Sequence, residues 1–548
     1  MGLWRGRRER RADPTTTPPE AKQQQRSPIT TTTATTTTAT PATKGERHHR
    51  SEKGCCIAAA VAEPYGGGEV KAVTVSRPDQ GHLQRAGVVA APGGPSVMCS
   101  SPNWGQLPAL AITNVFQHLD HPDRLNASTV CWHWRSVIFQ PRFFKRIQFD
   151  VAREQNKKNS FFLQKLAHIV SEAKVTFDSC NLYDVELTAE ILYKLSKSAR
   201  LLRLSILPKY ATLVTPGRFY SEEEWNYILK LFVQPLIALL SRKNPPLRAL
   251  DLGCSEILAL HASDFLTLTA KPQHLERLAF ATVKQDPGHY PLGLIEPPLL
   301  EKCTALRVLS LDYDSLCDEV LQTLQLLPLR QLIVHVHGID EDHFGLSEEA
   351  WASFRNKNPE TELHLTLVCA YEAVEILHTH ILRPSMPLTH LKVLFCEKIN
   401  CEALEYLSRF HNETLRSLIW VDSMRIEEYR NIMELVMHTE QDPLVMMAWR
   451  CKKLQELIVH GYVLDPHNVV GVARLRGREL QVLEVSGIHL SIPSVMVSPF
   501  IEEISAQLGR KWCPLDAKTL PPALRFYPVS DEVRDQYILK YIRKDIME

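Results

Sequence analysis

The chain has 548 residues, a formal net charge of +1 and no run of eighteen apolar residues. That length allows two to four domains, and the composition argues against a membrane-spanning helix and against a nucleic-acid clamp. Its 13 cysteines are scattered, odd in number and without a C-x-x-C pair, so they read as reduced thiols of a cytosolic or nuclear protein.

Residues 1–100 are low in complexity, and Thr30 to Thr43 is nearly all threonine and alanine. Such a segment offers too little apolar surface to offset the entropy of ordering, so disorder is expected. Gly2 is followed by Gly6 rather than the Ser or Thr of a myristoylation signal. The basic run Arg5 to Arg11 leads into threonines, without the apolar stretch of a signal peptide. That run reads as a solvated tail or as a nuclear import signal.

Residues 101–146 predict three short helices. The first should open at Pro108, because a proline at the first helical position loses no hydrogen bond. Ile112, Val115, Phe116 and Leu119 then recur at helical spacing. A turn at Asp120 to Asp123 leads into a short helical stretch containing Leu125, and a third segment carries Val130, Trp134, Val137 and Ile138 on one stripe before Pro141. Helices this short bury too little surface to stand alone, so a neighbouring domain or a partner must cover them.

Leu107-Pro108, Val115-Phe116-x-x-Leu119, Asp123-x-Leu125 and Val130-Cys131-x-x-Trp134-Arg135 resemble an F-box. That resemblance implies docking on the adaptor S-phase kinase-associated protein 1, and through it on a cullin–RING ubiquitin ligase core. The implied adaptor-binding residues are Leu107, Pro108, Ile112, Val115, Phe116, Leu119, Leu125, Val130 and Trp134. The chain departs from the family at Leu110 and Ala111, where an acidic residue and an isoleucine are usual.

Residues 147–490 repeat an apolar-x-x-apolar-x-apolar unit. The units begin at Phe144, Leu201, Leu247, Leu275, Leu306, Leu329, Leu388, Leu415, Leu454 and Leu480, with weaker copies at Glu172 and Glu362. Apart from longer gaps after Leu201 and Leu415, the steps cluster near roughly 23–33 residues, those of leucine-rich repeats, each supplying one short strand and a returning helix. Helical spacing of Val320, Leu321, Leu324 and Leu327, and of Leu404, Leu407 and Phe410, supports the returning helices. The fold class is therefore α/β: a short all-helical F-box, then a solenoid with parallel strands inside and helices outside.

Strand side chains alternate, so the residues between the core leucines face the concave surface. They include Ser310, Asp312, Ile333, His335, Lys392, Leu394, Ile419, Val421, Ile458, His460, Glu484 and Ser486. Leu394, Ile419, Val421 and Ile458 are apolar where solvent is expected, and with His460 they are candidates for binding a protein substrate. The alternative is that the segment 491–548 folds back over them as a cap. Asp442-Pro-Leu-Val445, Ala448 to Cys451, His460-Gly461-Tyr462, Ala473 to Gly477 and Leu480 to Val485 resemble a member of the same F-box family, tightly over residues 440–486. This implies a substrate receptor without naming its target.

No nucleotide-binding, hydrolase or metalloprotease motif is present, so no catalytic residue, metal or cofactor is assigned. His335-Val-His337 and His378-Thr-His380 lack a third ligand at a defined spacing and read as surface histidines, while Cys396 fits a buried repeat position. The basic residues Lys452, Lys453, Arg474, Arg476 and Arg478 flank one strand. They form either a solvated loop or a cluster suited to carboxylate or phosphate groups.

Overall fold

A computed structural model describes residues 104–140, 142–211, 213, 226–227, 229–242, 247–269, 274–284, 295–339, 343, 345–423, 441–486, 497–515, 519–525 and 529–547. The expected low-complexity segment, residues 1–100, lies outside them. Three helices come first: α1 (Ala109–His118), α2 (His121–Ala127) and α3 (Trp132–Ile138). Pro108 is the residue before α1 rather than its first turn, with the extended ψ of 141°. Asp120 caps α2 by accepting the Asp123 N–H at 2.9 Å, satisfying one of the donors that a helix start leaves open.

Twelve strands follow among the described residues: β1 (Arg146–Val151), β2 (Glu172–Phe177), β3 (Arg203–Pro208), β4 (Ala249–Asp251), β5 (Arg277–Ala279), β6 (Val308–Asp312), β7 (Gln331–Val336), β8 (Glu362–Val368), β9 (Leu388–Leu394), β10 (Ser417–Val421), β11 (Glu456–His460) and β12 (Val482–Val485). They pair in sequential order and all in parallel. Parallel neighbours need a crossover between them, and the helices on the outside supply it. Each repeat unit sets its own strand. In Leu306-x-x-Leu309-x-Leu311 every leucine is buried, as are Leu388, Leu391 and Val393 in β9. The fold is an α/β repeat solenoid behind the F-box helices.

The outer helices turn one stripe inward. Val320, Leu321 and Leu324 of Asp318–Leu324 are buried, as are Leu404 and Leu407 of Cys401–Phe410. Phe410, expected in the core, is 47% exposed because it sits in the last turn of its helix, past the inward stripe. One apolar core runs from Ile112 and Phe116 in the F-box to Trp512 beyond β12. Phe139 stacks on Phe144 with ring centroids 5.7 Å apart, which joins α3 to the first repeat. At the far end, Trp512 donates its indole N–H to the Leu483 carbonyl (2.8 Å) and Leu515 donates its N–H to Val485 (2.9 Å). Those bonds blunt the open edge of β12.

The chain after β12 forms helices Val497–Leu508, Pro522–Arg525 and Asp531–Met547. The last of these, hereafter the C-terminal helix, lies on the concave face. Its Ile538, Ile542 and Ile546 are buried in a second apolar cluster with Leu394, Ile419, Val421 and Ile458. Stacked strands thus carry two cores, one toward the outer helices and one toward this helix.

Candidate adaptor and target surfaces

On α1 the helical stripe divides. Ile112 and Phe116 point inward and are fully buried, whereas Val115 is partly exposed and Leu110 is 68% exposed. Phe116 packs edge-on against Trp134 (5.7 Å) and Phe143 (6.0 Å), and its carbonyl accepts the Arg124 guanidinium at 2.7 Å. Ile112 and Phe116 are therefore corrected from adaptor contacts to core, because the three helices close around them. Leu107, Leu119 and Trp134 are half-buried against that core. The Leu125 side chain lies outside the described residues.

Pro108 remains exposed, and Val130 precedes α3 with 62% of its surface in solvent. Val130 is therefore not on the stripe of Trp134 and Val137. Trp104 and Trp132, which the motif does not single out, are also exposed, Trp132 to 82%. Trp134 fixes this end by donating its indole N–H to the Trp104 carbonyl at 3.1 Å, and the His133 Nε2 atom lies 2.9 Å from the Leu107 carbonyl. The F-box therefore presents Trp104, Leu110, Val115, Val130 and Trp132 to solvent on a framework held from beneath. Leu110, where the family has an acid, was the readable signal.

On the concave face the register sorts the expected ladder into two rows. Lys392 pairs with Ile419 and Ile419 with Ile458, while Leu394 pairs with Val421 and Val421 with His460. Leu394 therefore belongs to a different row from Ile419 and Ile458. All five candidates, Leu394, Ile419, Val421, Ile458 and His460, are at most 3% exposed. Of the two readings, an open binding face and a face covered by residues 491–548, the structure has the second: the C-terminal helix removes these residues from water.

Polar groups are buried beside this apolar strip. Lys392 Nζ lies 2.5 Å from Asp545 of the C-terminal helix, and His364 Nδ1 lies 3.3 Å from the same carboxylate. Burial pushes the Asp545 carboxyl up, but the hydrogen bond and charge of His364 with the Lys392 ammonium outweigh it and hold it well below the usual range. Burial opposes protonation of His364, yet hydrogen bonds to Asp545 and Glu362 raise its pKa. His390, its ring tilted against that of His364 with centroids 3.9 Å apart, is pushed down to about 3 by burial and by the His364 charge. Glu362 is lowered to about 2 by its hydrogen bond to His364, against burial and with help from Arg416.

A second buried group surrounds Asp312. It accepts the Thr282 N–H (2.8 Å) and hydroxyl (2.7 Å), and the Lys284 ammonium lies 3.3 Å away. His335 Nδ1 and His337 Nε2 both meet the Thr282 carbonyl, at 2.8 and 3.0 Å. A carbonyl only accepts, so both nitrogens carry protons. These two histidines, His335 in β7 and His337 just beyond it, are buried, not on the surface as expected, because they pack onto the Thr282 carbonyl beside Asp312. Burial pushes His335 down to about 4. Asp312 with His335 and His337, and Glu362 with His364 and His390, each bring ligand atoms within 4.8 Å of one another. Each carboxylate is already met by a cation of the chain, Lys284 or Arg416.

His378 is half-buried and His380 exposed, and Cys396 is buried as expected. The basic run does not converge into an anion site. Arg474 binds Glu503 at 2.6 Å, and Arg476 is buried against Glu479 and the Lys452 carbonyl. The arginines fasten the last repeat instead.

Residues 104–146 match the F-box domain. The chain is 25% identical over 469 residues to human F-box only protein 33, which covers 74% of this chain and 82% of that protein. The mouse protein of the same name is 25% identical over 475 residues, with the same shares covered. Mouse F-box/LRR-repeat protein 21 is 22% identical over 437 residues, or 75% of this chain and 89% of that one. The chain thus carries an F-box domain at the head of a parallel-strand solenoid, and over 74% of its length it is similar to F-box only protein 33.

Proposed function

We propose that this protein is the substrate-recognition subunit of a cullin–RING ubiquitin ligase. In this reading the F-box docks on S-phase kinase-associated protein 1 and the solenoid holds a target protein. The chain performs no bond-making itself. It raises the effective concentration of a target lysine beside a ubiquitin-loaded conjugating enzyme, which turns an encounter between separate molecules into a local one. The observation that carries the proposal is the F-box match together with its outward apolar side chains. Trp104, Leu110, Val130 and Trp132 are more than half exposed, while Ile112 and Phe116 already complete the core beneath them. Exposed tryptophans of that kind, buried on binding, are among the residues that dominate protein interfaces, and apolar neighbours around them help exclude water.

A second reading has its own support. The F-box interior is continuous with the first repeat through Phe139 and Phe144, as expected of a helical cap on an independent repeat scaffold. Mixing the purified chain with the adaptor and then with the cullin–RING core separates the two. Co-elution as one complex that ubiquitinates a captured target supports the receptor. A monomer that stays apart from the adaptor supports the scaffold.

A further inference from the structure

The C-terminal helix fills the groove with two kinds of contact. Ile538, Ile542 and Ile546 cover Leu394, Ile419, Val421 and Ile458, and Tyr537 packs edge-on against Phe395 at 5.8 Å. Polar contacts then fix its register. Asp545 sits on Lys392 and His364, Lys392 also donates to the Tyr541 carbonyl at 3.2 Å, and Arg543 donates to the Gly253 carbonyl at 3.4 Å. A permanent core gains little from buried ions, because desolvation offsets most of their attraction and aliphatic replacements are often as stable. In some systems buried ions instead specify which segment sits in a groove and in which register.

The chain just past β4, β8 and β9, buried in the same cluster, carries a related feature. Cys254, Cys369 and Phe395 adopt left-handed backbone, with φ of 64°, 50° and 56°. Each costs on the order of 1–3 kcal/mol for a residue other than glycine, and such positions gather at binding sites. The other side of the C-terminal helix offers Glu532, Gln536, Lys540 and Lys544 to water at four-residue steps. It is an amphipathic helix lying in a groove shaped for one.

We propose that this groove is the target-docking surface and that the C-terminal helix is its resident competitor. The target segment it fits is an amphipathic helix that brings aliphatic side chains to Ile419 and Ile458 and one carboxylate to Lys392 and His364. The inference rests on the receptor reading. It requires the helix to leave the groove while the solenoid stays folded.

Cysteines of the chain report that event. Cys254 and Cys369 belong to the cluster under the helix, and burial holds both thiols up at about 12. Cys303 and Cys451 belong to the main core on the opposite side of the sheet. Pulsed alkylation of the full chain, read by mass spectrometry, should label Cys254 and Cys369 about tenfold faster or more than Cys303 and Cys451, since local opening is easier than global unfolding. Asp545→Lys should speed the first pair by about another tenfold and leave the second pair unchanged. A synthetic peptide spanning residues 529–548 should then slow Cys369 labelling in that variant, and the same peptide carrying Asp545→Lys should not.

One common rate for all four cysteines in the wild-type chain would overturn the proposal, because the helix would then leave only with the whole fold. Failure of the wild-type peptide to protect Cys369 in the opened variant would overturn the groove as a docking surface. Adaptor binding measured on the same samples tells the two proposals apart. Its absence removes the receptor and with it the groove's target role, whereas its presence with a failed peptide arm removes the groove alone.

Discussion

Replacing Lys392 with methionine isolates the electrostatic part of the closed groove. At 2.5 Å and an effective dielectric near 20, the Lys392–Asp545 attraction is about 7 kcal/mol in gross terms. Desolvating two ions offsets most of that, so the pair as a whole contributes little net stability. Removing one partner is different, since it leaves the Asp545 carboxylate buried without its ammonium, a cost of about 3–5 kcal/mol. His364 remains 3.3 Å from that carboxylate, so the loss should fall near the lower end, about 3 kcal/mol. Urea unfolding followed by circular dichroism measures it. The double variant Lys392→Met/Asp545→Leu should recover most of the loss, because it leaves no unpaired charge. A single-variant cost below about 1 kcal/mol, or a double variant no better than the single, would refute this account of the buried pair.

Phe116→Ala should cost about 3–5 kcal/mol in thermal or chemical unfolding, because the ring fills the F-box core rather than its surface. Gly253 takes φ of +68°, and an added Cβ would lie 1.8 Å from the Ile206 carbonyl oxygen. Gly253→Ala should therefore lose more than about 3 kcal/mol or fail to accumulate as folded protein, seen in soluble yield and melting temperature. Asp535 is pushed up from 3.8 to about 6 by burial. The native state then holds this proton more tightly than the unfolded chain, so stability is present below about pH 4 and is lost as pH rises through about 6. Asp535→Asn cannot ionise and should be more stable than wild type at pH 7.5 by up to about 3 kcal/mol, a gain that melting curves at pH 4 should not retain.

The solenoid was readable because each strand announces itself. Leu247-x-x-Leu250-x-Leu252 and its equivalents put one apolar side chain ahead of each strand and further ones in or just past it, and in the structure these residues are buried in the main core. Even the weaker copies at Glu172 and Glu362 became β2 and β8. The candidate surfaces were less legible. Periodicity placed Ile112, Val115 and Phe116 on one stripe, but it cannot say that a helix packed on one side leaves Val115 at the margin. Ile419 and Ile458 signalled that something covers the concave face, since an apolar pair there would otherwise meet water. The segment that covers it, 491–548, is readable as a cap that folds back, but which of its side chains meet the face, Ile538, Ile542 and Ile546 spaced four apart, is settled only by the packing. The pairing of Asp545 with Lys392 spans 153 positions, and no local pattern reports a contact at that separation. His335 and His337 likewise meet the Thr282 carbonyl, 53 and 55 positions away, which no local spacing reports.

Titration of purified S-phase kinase-associated protein 1 into the full chain and into its Trp132→Asp variant tests the central claim most directly. Trp132 is 82% exposed, so the substitution should leave the melting temperature unchanged. Wild type should bind at micromolar affinity or better, and the variant should bind about 30-fold more weakly, the roughly 2 kcal/mol of one interface anchor. Absence of adaptor binding by the folded wild-type chain would contradict the receptor and leave the repeat scaffold in its place.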